Sequence, residues 1–272
     1  MTANSYLTGI ASQAILRDEE KASVHRSITT LQTRLANYFG DQIGQHFVFG
    51  SFSRGTILPR SMDPQSDVDY MVVFADVGLQ PQAYLDRLRR FAEAQYVRSE
   101  VMQSHPTVVL ELNHMRFELV PAVRNWLNCL QIPRKGYGFQ KWQDTDPNGF
   151  NQTLSNANQV YGNLIKPLVR VMKYWNATAN YPFESYALEQ HLVGQAYGFL
   201  GLVASRQLAD YFFQAARSLE AGWSAPQWKQ DAVNRLKHLA STAQSQERFG
   251  GSVEAEATLM RILPPVRDLL RA

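Results

Sequence analysis

Two aspartates on one short stretch of chain are the first residues in this sequence that could do chemistry. The segment GSFSRGTILPRSMDPQSDVDYMVVF, residues 50–74, leads from a Gly-Ser turn into a strand that carries Asp67 and Asp69. Because side chains alternate along a strand, both carboxylates point to one face, and the apolar positions 68, 70, 72 and 74 point to the other. Like charges held side by side repel each other unless a cation lies between them. The pattern therefore predicts a metal site.

The turn that precedes this strand could bind phosphate. Gly50 and Ser51 can offer backbone N–H groups and a hydroxyl to a phosphate, while the two aspartates supply the oxygen ligands that Mg²⁺ prefers. The alternative is an ordinary hairpin with solvated aspartates, since motifs this short recur by chance. Taken alone, these two elements leave both interpretations open.

A third carboxylate lies on a later strand-like segment, MRFELVPAV, residues 115–123. Its apolar residues alternate, so Glu118 falls on the face opposite Met115, Phe117 and Leu119, where burial without a cation would be costly. If this strand lies beside the one with the two aspartates, three carboxylates form a two-metal site. One ion would activate a hydroxyl nucleophile and the other would hold the departing phosphates. The alternative is an ion pair between Glu118 and an arginine such as Arg116 or Arg124.

A basic stripe follows in NLIKPLVRVMKYWN, residues 163–176. The apolar residues of this segment form one helix face, and Lys166, Arg170 and Lys173 fall on another at spacings of four and three. Pro167 is expected to kink the helix or to lie in its first turn. Such a stripe is usually a solvated face, but here it could meet a triphosphate. We favour Lys173, which adjoins an aromatic pair, for that contact.

The elements that must position these residues change in character along the chain. Residues up to 150 alternate helical and strand-like patterns, with helix from Tyr6 to Phe39 ending at Gly40. A tight turn at Asn113-His114 joins two of the strands. The glycine- and proline-rich stretch 131–150 is the best candidate for a boundary, and the chain after it is almost entirely helical. This order predicts an α+β protein with a cleft between a sheet lobe and a helical lobe.

Composition limits the class of protein. With 272 residues, of which 45% are hydrophobic, the chain can bury a sizeable core. It has no apolar run of the roughly 18–20 residues that span a bilayer and no secretory signal pattern, so we expect a cytoplasmic protein without a membrane contact. The single cysteine excludes an intrachain disulfide and a zinc site with several thiolates. A net charge of +3 suits anionic ligands but is too small to indicate a dedicated duplex-DNA binder.

Several sequence blocks also resemble a known family. They occur in the order GSFSRGT, SDVDYMVVF, FELVPAV, TDPNGFNQTLSNAN, LIKPLVRVMKYWN and FESYALEQHL. In order and spacing they are similar to the bacterial cGAS/DncV-like nucleotidyltransferases, the CD-NTases, of the DNA polymerase β-like superfamily. The resemblance runs from about residue 20 to residue 200. One Gly-Ser turn with one Asp-x-Asp pair would be a weak match, whereas the succession of blocks is specific.

The resemblance implies a fold and a set of site residues. The fold would be a polymerase β-like nucleotidyltransferase lobe with a mixed sheet and an N-terminal helix, residues 1–150, packed on a helical nucleotide-binding lobe, residues 151–272. Nucleoside triphosphates (NTPs), including ATP, would bind in the cleft with two Mg²⁺ ions, for which Mn²⁺ could substitute. By position, the family roles are phosphate binding by Gly50 and Ser51, metal binding by Asp67, Asp69 and Glu118, triphosphate contacts by Lys173 and Ser185, and base stacking on Tyr186.

The same resemblance implies an activity. CD-NTases usually make cyclic di- or trinucleotides that activate an effector protein in anti-phage defence, so NTPs and such an effector are the expected partners. Transfer to another acceptor, such as tRNA, a protein or a small molecule, would use the same residues, and a non-catalytic nucleotide- or RNA-binding module is a further alternative. Two features depart from the family pattern. The third carboxylate, commonly aspartate, is Glu118, and the chain after residue 240 matches only loosely.

Overall fold

The computed structural model of the protein describes residues 2–104, 106–134, 141–197 and 207–266. Its backbone contacts divide the chain into two compact units. One, which we call the sheet unit, comprises Leu16–Ile57 and Gln65–Asn151. The other, the helical unit, comprises Met1–Ile15, Leu58–Pro64 and Gln152–Ala272. Each unit is described below by itself.

The sheet unit is built on a mixed sheet, which has seven strands in the described residues. The strands are β1 (Ile43–Val48), β2 (Asp67–Phe74), β3 (Glu100–Ser104), β4 (Thr107–Glu111), β5 (Arg116–Arg124), β6 (Leu130–Pro133) and β7 (Trp142–Asp144). The main path runs β1-β2-β5-β4-β3, and β6 pairs with β5 and β7. All pairs are antiparallel except β2 with β5, which is parallel. The mixed sheet predicted from the sequence is confirmed.

Ten helices lie in the part of the chain that the structure describes. They are α1 (Ala3–Gln13), α2 (Asp18–Phe39), α3 (Gly50–Arg54), α4 (Pro81–Gln95), α5 (Gly149–Val160), α6 (Ile165–Thr178), α7 (Ser185–Gly194), α8 (Leu208–Ser218), α9 (Gln227–Arg248) and α10 (Ser252–Met260). None of these helices combines the length and the apolar character needed to cross a membrane. Six of the ten follow residue 148, as the sequence pattern predicts.

The core of the sheet unit lies between one face of the sheet and helices α2 and α4. Helix α2 presents a stripe of buried apolar residues three or four positions apart, and Gly40, with φ of +50°, follows its last residue. Pro81 begins α4, where its missing N–H costs no hydrogen bond. From β2, the core receives Val68, Tyr70, Val72 and Phe74, the face predicted from alternation.

The opposite face of β2 and β5 carries a smaller apolar cluster. Met71 and Val73 pack there with Val120 and Ala122. By the same alternation, Asp67 and Asp69 continue this face toward the beginning of β2. The sheet thus separates a large apolar core on one side from the predicted chemical residues on the other.

Helix α6 is the most buried element of the helical unit. Its buried residues run almost without interruption from Ile165 to Asn176. Pro167 is the third helical residue, so it lies in the first turn, where no intrahelical N–H bond is lost. Of the two predictions for Pro167, a kink or a position in the first turn, the position in the first turn is therefore observed.

The first helix does not belong to the sheet unit, where the predicted limits 1–150 placed it. Helix α1 contacts α6, α8 and α10 of the helical unit. The Tyr6 hydroxyl donates a hydrogen bond to the Leu263 carbonyl, and the Ala3 N–H donates to Glu247 Oε2 at 3.0 Å. The apolar stripe of α1 is as suited to a helical core as to a sheet, so composition alone could not assign it.

Two further differences concern the predicted boundary. The segment 58–64 leaves the sheet unit and joins the helical unit, where Asp63 accepts a hydrogen bond from the Tyr181 hydroxyl at 2.7 Å. The stretch 131–150 was predicted to be a long connection, yet it includes most of β6 and all of β7. Part of that stretch, residues 135–140, lies outside the described residues. The division near residue 151 falls next to the predicted limit.

Candidate functional site

The parallel pairing of β2 with β5 brings the predicted carboxylates onto neighbouring strands. In this ladder Asp69 lies opposite Glu118, and Asp67 lies opposite Arg116. Residues opposite each other in a sheet share a face. All four side chains are partly buried. The condition set for a three-carboxylate site, that the two carboxylate-bearing strands are neighbours, is therefore met.

Gly50 lies directly against the Asp69 carboxylate. The Phe49 N–H donates to the Asp69 carbonyl at 3.0 Å, which fixes the turn to the strand. Gly50 has φ of +69°, and a Cβ at this position would lie 1.8 Å from Asp69 Oδ2. Only glycine leaves room for this carboxylate in its observed position. The Gly-Ser turn and the aspartate pair thus form one constellation, as the sequence suggested.

Ser51 follows Gly50 in the short helix α3 and is mostly buried, with 9% of its surface exposed. Its carbonyl accepts hydrogen bonds from the N–H groups of Thr56 and Ile57 at 3.0 and 3.1 Å. These bonds close the loop after α3 back onto its first turn. The position of Ser51 is therefore fixed by the backbone before any ligand binds.

We expect Gly50→Ala to weaken divalent-metal binding and to lower activity by at least about tenfold, because the new methyl group must displace the Asp69 carboxylate. Positive φ alone adds a backbone cost of about 1–2 kcal/mol for a non-glycine residue. Gly55→Ala is the matched control, since Gly55 has φ of +70° but no atom within 4 Å of an added Cβ. Measuring the metal affinity and melting temperature of both variants separates the displacement of the Asp69 carboxylate from the backbone cost of positive φ. Equal metal affinity in the two variants would contradict the role given to Gly50.

Glu118 forms an ion pair with its own strand neighbour. Arg116 Nη2 lies 3.4 Å from Glu118 Oε1, and the two side chains are 25% and 22% exposed. This is the ion pair that the sequence left open as an alternative to metal binding. In the described parts of the chain, no group of three His, Cys, Asp or Glu side chains is arranged to hold a metal ion. A third ligand from Glu118 therefore requires its carboxylate to turn away from Arg116.

The aspartate pair nevertheless fits a divalent cation. Carboxylate oxygens are the donors that Mg²⁺ takes from proteins, usually one or two per ion with substrate phosphates and waters completing the shell. Asp67 and Asp69 supply two such groups on one strand face. The glycine that makes room for Asp69 precedes Ser51, so the turn predicted to bind phosphate adjoins the predicted metal ligands. The donor set and the space left by Gly50 are both suited to a cation bound together with a phosphate.

In the helical unit, the basic stripe of α6 is largely not a solvated face. Arg170 and Lys173 are 9% and 6% exposed, and burial lowers the pKa of Arg170. Lys173 Nζ lies 3.3 Å from Oε1 of Glu189 on α7, whose side chain is 1% exposed. Lys166 is half-buried. The solvated-face alternative is therefore wrong for Arg170 and Lys173.

Ser185 and Tyr186 are the first two residues of α7. Ser185 is half-buried, and Tyr186 is 47% exposed, so its ring is accessible for stacking. The structure thus places the predicted residues in two groups. Gly50, Ser51, Asp67, Asp69 and Glu118 lie in the sheet unit, and Lys173, Ser185 and Tyr186 lie in the helical unit.

The sequence analysis did not identify two buried polar residues that contact the helical-unit group of predicted residues or the chain next to it. Glu189 pairs with Lys173, and Asn176, which is 1% exposed, holds the backbone of Phe183 just before α7. A signal for Glu189 was present, since it stands among apolar residues in SYALEQHLV, where a solvated charge would be out of place. Asn176 carries no such signal, because polar residues are common near the ends of helices.

A cavity of about 440 Å³ opens elsewhere in the helical unit. Trp175, Trp228 and Arg235 are among its lining residues, but none of the eight predicted site residues lines it. The candidate site is therefore defined by side-chain chemistry and not by this cavity.

A mixed sheet that carries an Asp-x-Asp pair beside a Gly-Ser turn is the arrangement that the sequence predicted for a nucleotidyltransferase. Residues 1–158 match the model of the Second Messenger Oligonucleotide or Dinucleotide Synthetase domain, SMODS. Because this match covers more than half of the chain, the protein belongs to the SMODS family. It is therefore an enzyme of the nucleotidyltransferase class, as predicted.

Known relatives agree with this family. A probable cyclic nucleotide synthase of Bacillus cereus (strain VD146) is 24% identical, with 92% of this chain and 88% of the relative covered. Among solved structures, the Vibrio cholerae cyclic AMP-GMP synthase DncV matches with a TM-score of 0.74 at 13% identity, covering 96% of each chain. The Bradyrhizobium diazoefficiens CD-NTase CdnG, solved with GTP, matches with a TM-score of 0.68 at 14% identity, covering 96% of this chain and 98% of CdnG. The predicted fold class is confirmed by these structures.

Proposed function

We propose that the protein joins NTPs into a cyclic di- or trinucleotide second messenger in a reaction that depends on Mg²⁺ or Mn²⁺. The observation that supports this most is the Gly50 turn packed against Asp69, with Asp67 on the same strand face. The family supports the product class, and the V. cholerae relative is also solved with the linear intermediate 5′ pppA(3′,5′)pG. A linear dinucleotide that still carries a triphosphate is what a first transfer between two NTPs gives.

The reaction consists of two or three transfers of one kind. A 2′- or 3′-hydroxyl of one nucleotide attacks the α-phosphorus of another, an oxygen–phosphorus bond forms, and the bond to the β-phosphate breaks to release pyrophosphate. The hydroxyl proton passes to solvent or a carboxylate. A last transfer within the linear product closes the ring. Phosphoryl transfer of this type depends on positioning and on charge stabilisation, with little covalent participation by the protein.

Each residue group has a distinct task in this proposal. The Gly50-Ser51 turn positions phosphates, and Asp67 and Asp69 hold the divalent cations against them. When bound, such cations lower the proton affinity of the attacking hydroxyl and offset charge on the phosphates. Lys173 and Ser185 would contact the triphosphate, and Tyr186 would stack on a base without strict selection for its identity.

Pyrophosphate release from NTPs alone tests this proposal. We expect release with NTPs and Mg²⁺ or Mn²⁺, and none after a chelator removes the metal. The four NTPs supplied singly and in pairs show which bases are used. Release that requires added tRNA, a protein or a small-molecule acceptor would instead support transfer to that acceptor.

The biological role follows from the product class. A cyclic nucleotide has no role of its own in the cell until a protein binds it, so we propose a downstream effector as the partner, in anti-phage defence as in the family. The product purified from the reaction serves as the affinity probe for this effector. An effector that binds only linear nucleotides would contradict the proposed partner.

We expect Glu118→Gln to remove most turnover but to change the affinity for Mg²⁺-NTP by less than about tenfold, because the two aspartates and the phosphates provide the other ligands. Loss of the partly exposed pair with Arg116 should cost at most about 1 kcal/mol of stability. Glu118→Asp should keep part of the activity, since it retains a carboxylate. Turnover, nucleotide affinity and melting temperature of both variants are measured together. A Glu118→Gln protein that is clearly destabilised and still turns over would show that Glu118 serves in the ion pair with Arg116 and not as a metal ligand.

A further inference from the structure

The ion pair between Lys173 and Glu189 is too buried to be a surface feature. The two side chains are 6% and 1% exposed, whereas those of the Arg116–Glu118 pair keep about a quarter of their surface. A buried ion pair is weak support for stability, since apolar residues of similar volume often do as well or better. Helices α6 and α7 also contact each other, and each buries apolar side chains, among them Leu168 on α6 and Leu188 on α7. Stability therefore does not account for a charged pair at this position.

The geometry of the pair leaves the ammonium able to bind a further anion. The distance between Nζ and Oε1 is 3.3 Å, whereas charge-assisted contacts of this type are commonly about 2.7–2.9 Å long. An ammonium has three donors, and the Glu189 contact uses one of them. Because the pair is removed from water, its attraction for a second anion is less screened than at the surface. Within the described residues, the Lys173 ammonium is thus held in place by Glu189 and has N–H donors left for a further anion.

The pair lies close to the predicted nucleotide residues of the same unit. Ser185 and Glu189 are four residues apart on α7, so they share a helix face about 6 Å apart along the axis. Glu189, the partner of Lys173, therefore lies about one helical turn from Ser185 on α7. Tyr186 is the next residue on α7 and is 47% exposed.

A second contact fixes the start of α7 on α6. The Asn176 side chain donates to the Phe183 carbonyl at 2.9 Å and accepts from the Phe183 N–H at 3.0 Å. Asn176 is three residues after Lys173 on α6, so both residues face α7. The two helices are thus held by polar contacts both before Ser185 and after it. The positions of Lys173 and Ser185 relative to each other are fixed by these contacts.

We propose that Glu189 is a positioning residue for nucleotide binding. It holds the buried Lys173 ammonium in place for the triphosphate and does not itself touch the nucleotide. The proposal rests on the proposed function, in which Lys173 contacts the triphosphate. It predicts that Glu189 affects nucleotide affinity mainly through Lys173, which a double-mutant cycle can test.

The test compares full-length Lys173→Met, Glu189→Gln and the double variant. Affinity for a non-hydrolysable ATP analogue with Mg²⁺ is measured by calorimetry, together with the melting temperature. We expect each single variant to lose affinity by about tenfold or more, and the double variant to bind as Lys173→Met does. Glu247→Gln is the control, because the Glu247 carboxylate accepts a hydrogen bond from the Ala3 backbone N–H and is not among the predicted nucleotide residues. This control should lower the melting temperature and leave affinity within twofold.

Three outcomes would contradict either the positioning role of Glu189 or the triphosphate contact of Lys173. Glu189→Gln that lowers the melting temperature but keeps wild-type affinity, while Lys173→Met loses it, overturns the positioning role. Wild-type affinity in Lys173→Met overturns the triphosphate contact, which is a failure of the proposed function and not of the pair. If Glu189→Gln does not fold, Glu189→Asp replaces it, since it keeps the charge but withdraws it by one methylene. Wild-type affinity in a folded Glu189→Asp protein also overturns the proposal.

Discussion

Asp69→Asn is expected to lower nucleotide transfer by about a thousandfold or more while the fold stays intact. A divalent cation at a reacting phosphate is worth several kcal/mol of transition-state stabilisation, and each 1.36 kcal/mol is about tenfold in rate. Asparagine keeps the shape of the side chain but loses the charge that holds the cation. Relief of repulsion between the two carboxylates should leave the variant as stable as the wild type or slightly more stable. The same result is expected for Asp67→Asn.

The control for this prediction is another aspartate of the sheet unit. Asp76 lies two residues after the end of β2 and pairs at 2.8 Å with Arg87, whose guanidinium lies over the ring of the core residue Phe74. Asp76→Asn should lose this surface pair, at a cost of about 1 kcal/mol or less, and keep activity. Pyrophosphate release, metal affinity by calorimetry and melting temperature are compared in all three variants. Substantial activity in Asp67→Asn or Asp69→Asn would refute the metal assignment.

Lys173→Ala should both destabilise the protein and weaken NTP binding. Removing the lysine takes away the ammonium that lies 3.3 Å from the Glu189 carboxylate, whose side chain is 1% exposed. Breaking a buried pair in this way typically costs about 3–5 kcal/mol. Loss of a charge-assisted contact to the triphosphate adds about 1–3 kcal/mol to the free energy of NTP binding.

The two effects of Lys173→Ala can be separated. Replacing both partners with apolar residues, in Lys173→Met with Glu189→Leu, removes the buried carboxylate together with the ammonium and should restore much of the stability. NTP affinity should stay low in this double variant because the ammonium is still missing. Denaturant unfolding and nucleotide titration measure the two quantities independently. Recovery of affinity together with stability would assign Lys173 a purely structural role.

Local periodicity predicted the parts of the fold that depend on neighbours in sequence. The alternation in residues 67–74 fixed which side chains of β2 enter the core, and the structure has the same division. The position of Pro167 in a first turn and the end of α2 before Gly40 follow from local backbone rules in the same way. The adjacency of β2 and β5 was only a condition for a three-carboxylate site, because a carboxylate on one face of each strand does not determine which strands pair; the ladder meets the condition.

Features that depend on distant contacts could not be predicted from the pattern. Helix α1 has an apolar stripe but no signal for which core it joins, and it packs in the helical unit. The burial of Lys173 depends on Glu189, which is 16 residues away on another helix. The choice of Arg116 over Arg124 as the partner of Glu118 depends on side-chain direction, which strand alternation does not specify. Charged residues therefore mark where chemistry could occur, but their partners require the folded chain.

The mass of the product made from NTPs alone tests the central claim most directly. Wild-type protein, Mg²⁺ and a mixture of NTPs are incubated, the product is treated with alkaline phosphatase, and the surviving species is identified by mass spectrometry. We predict a phosphatase-resistant product whose mass equals two or three nucleoside monophosphates joined in a ring with no terminal phosphate, absent with Asp69→Asn. A product that the phosphatase shortens to a linear oligonucleotide, or label found only on an added acceptor, would contradict a cyclic nucleotide synthase.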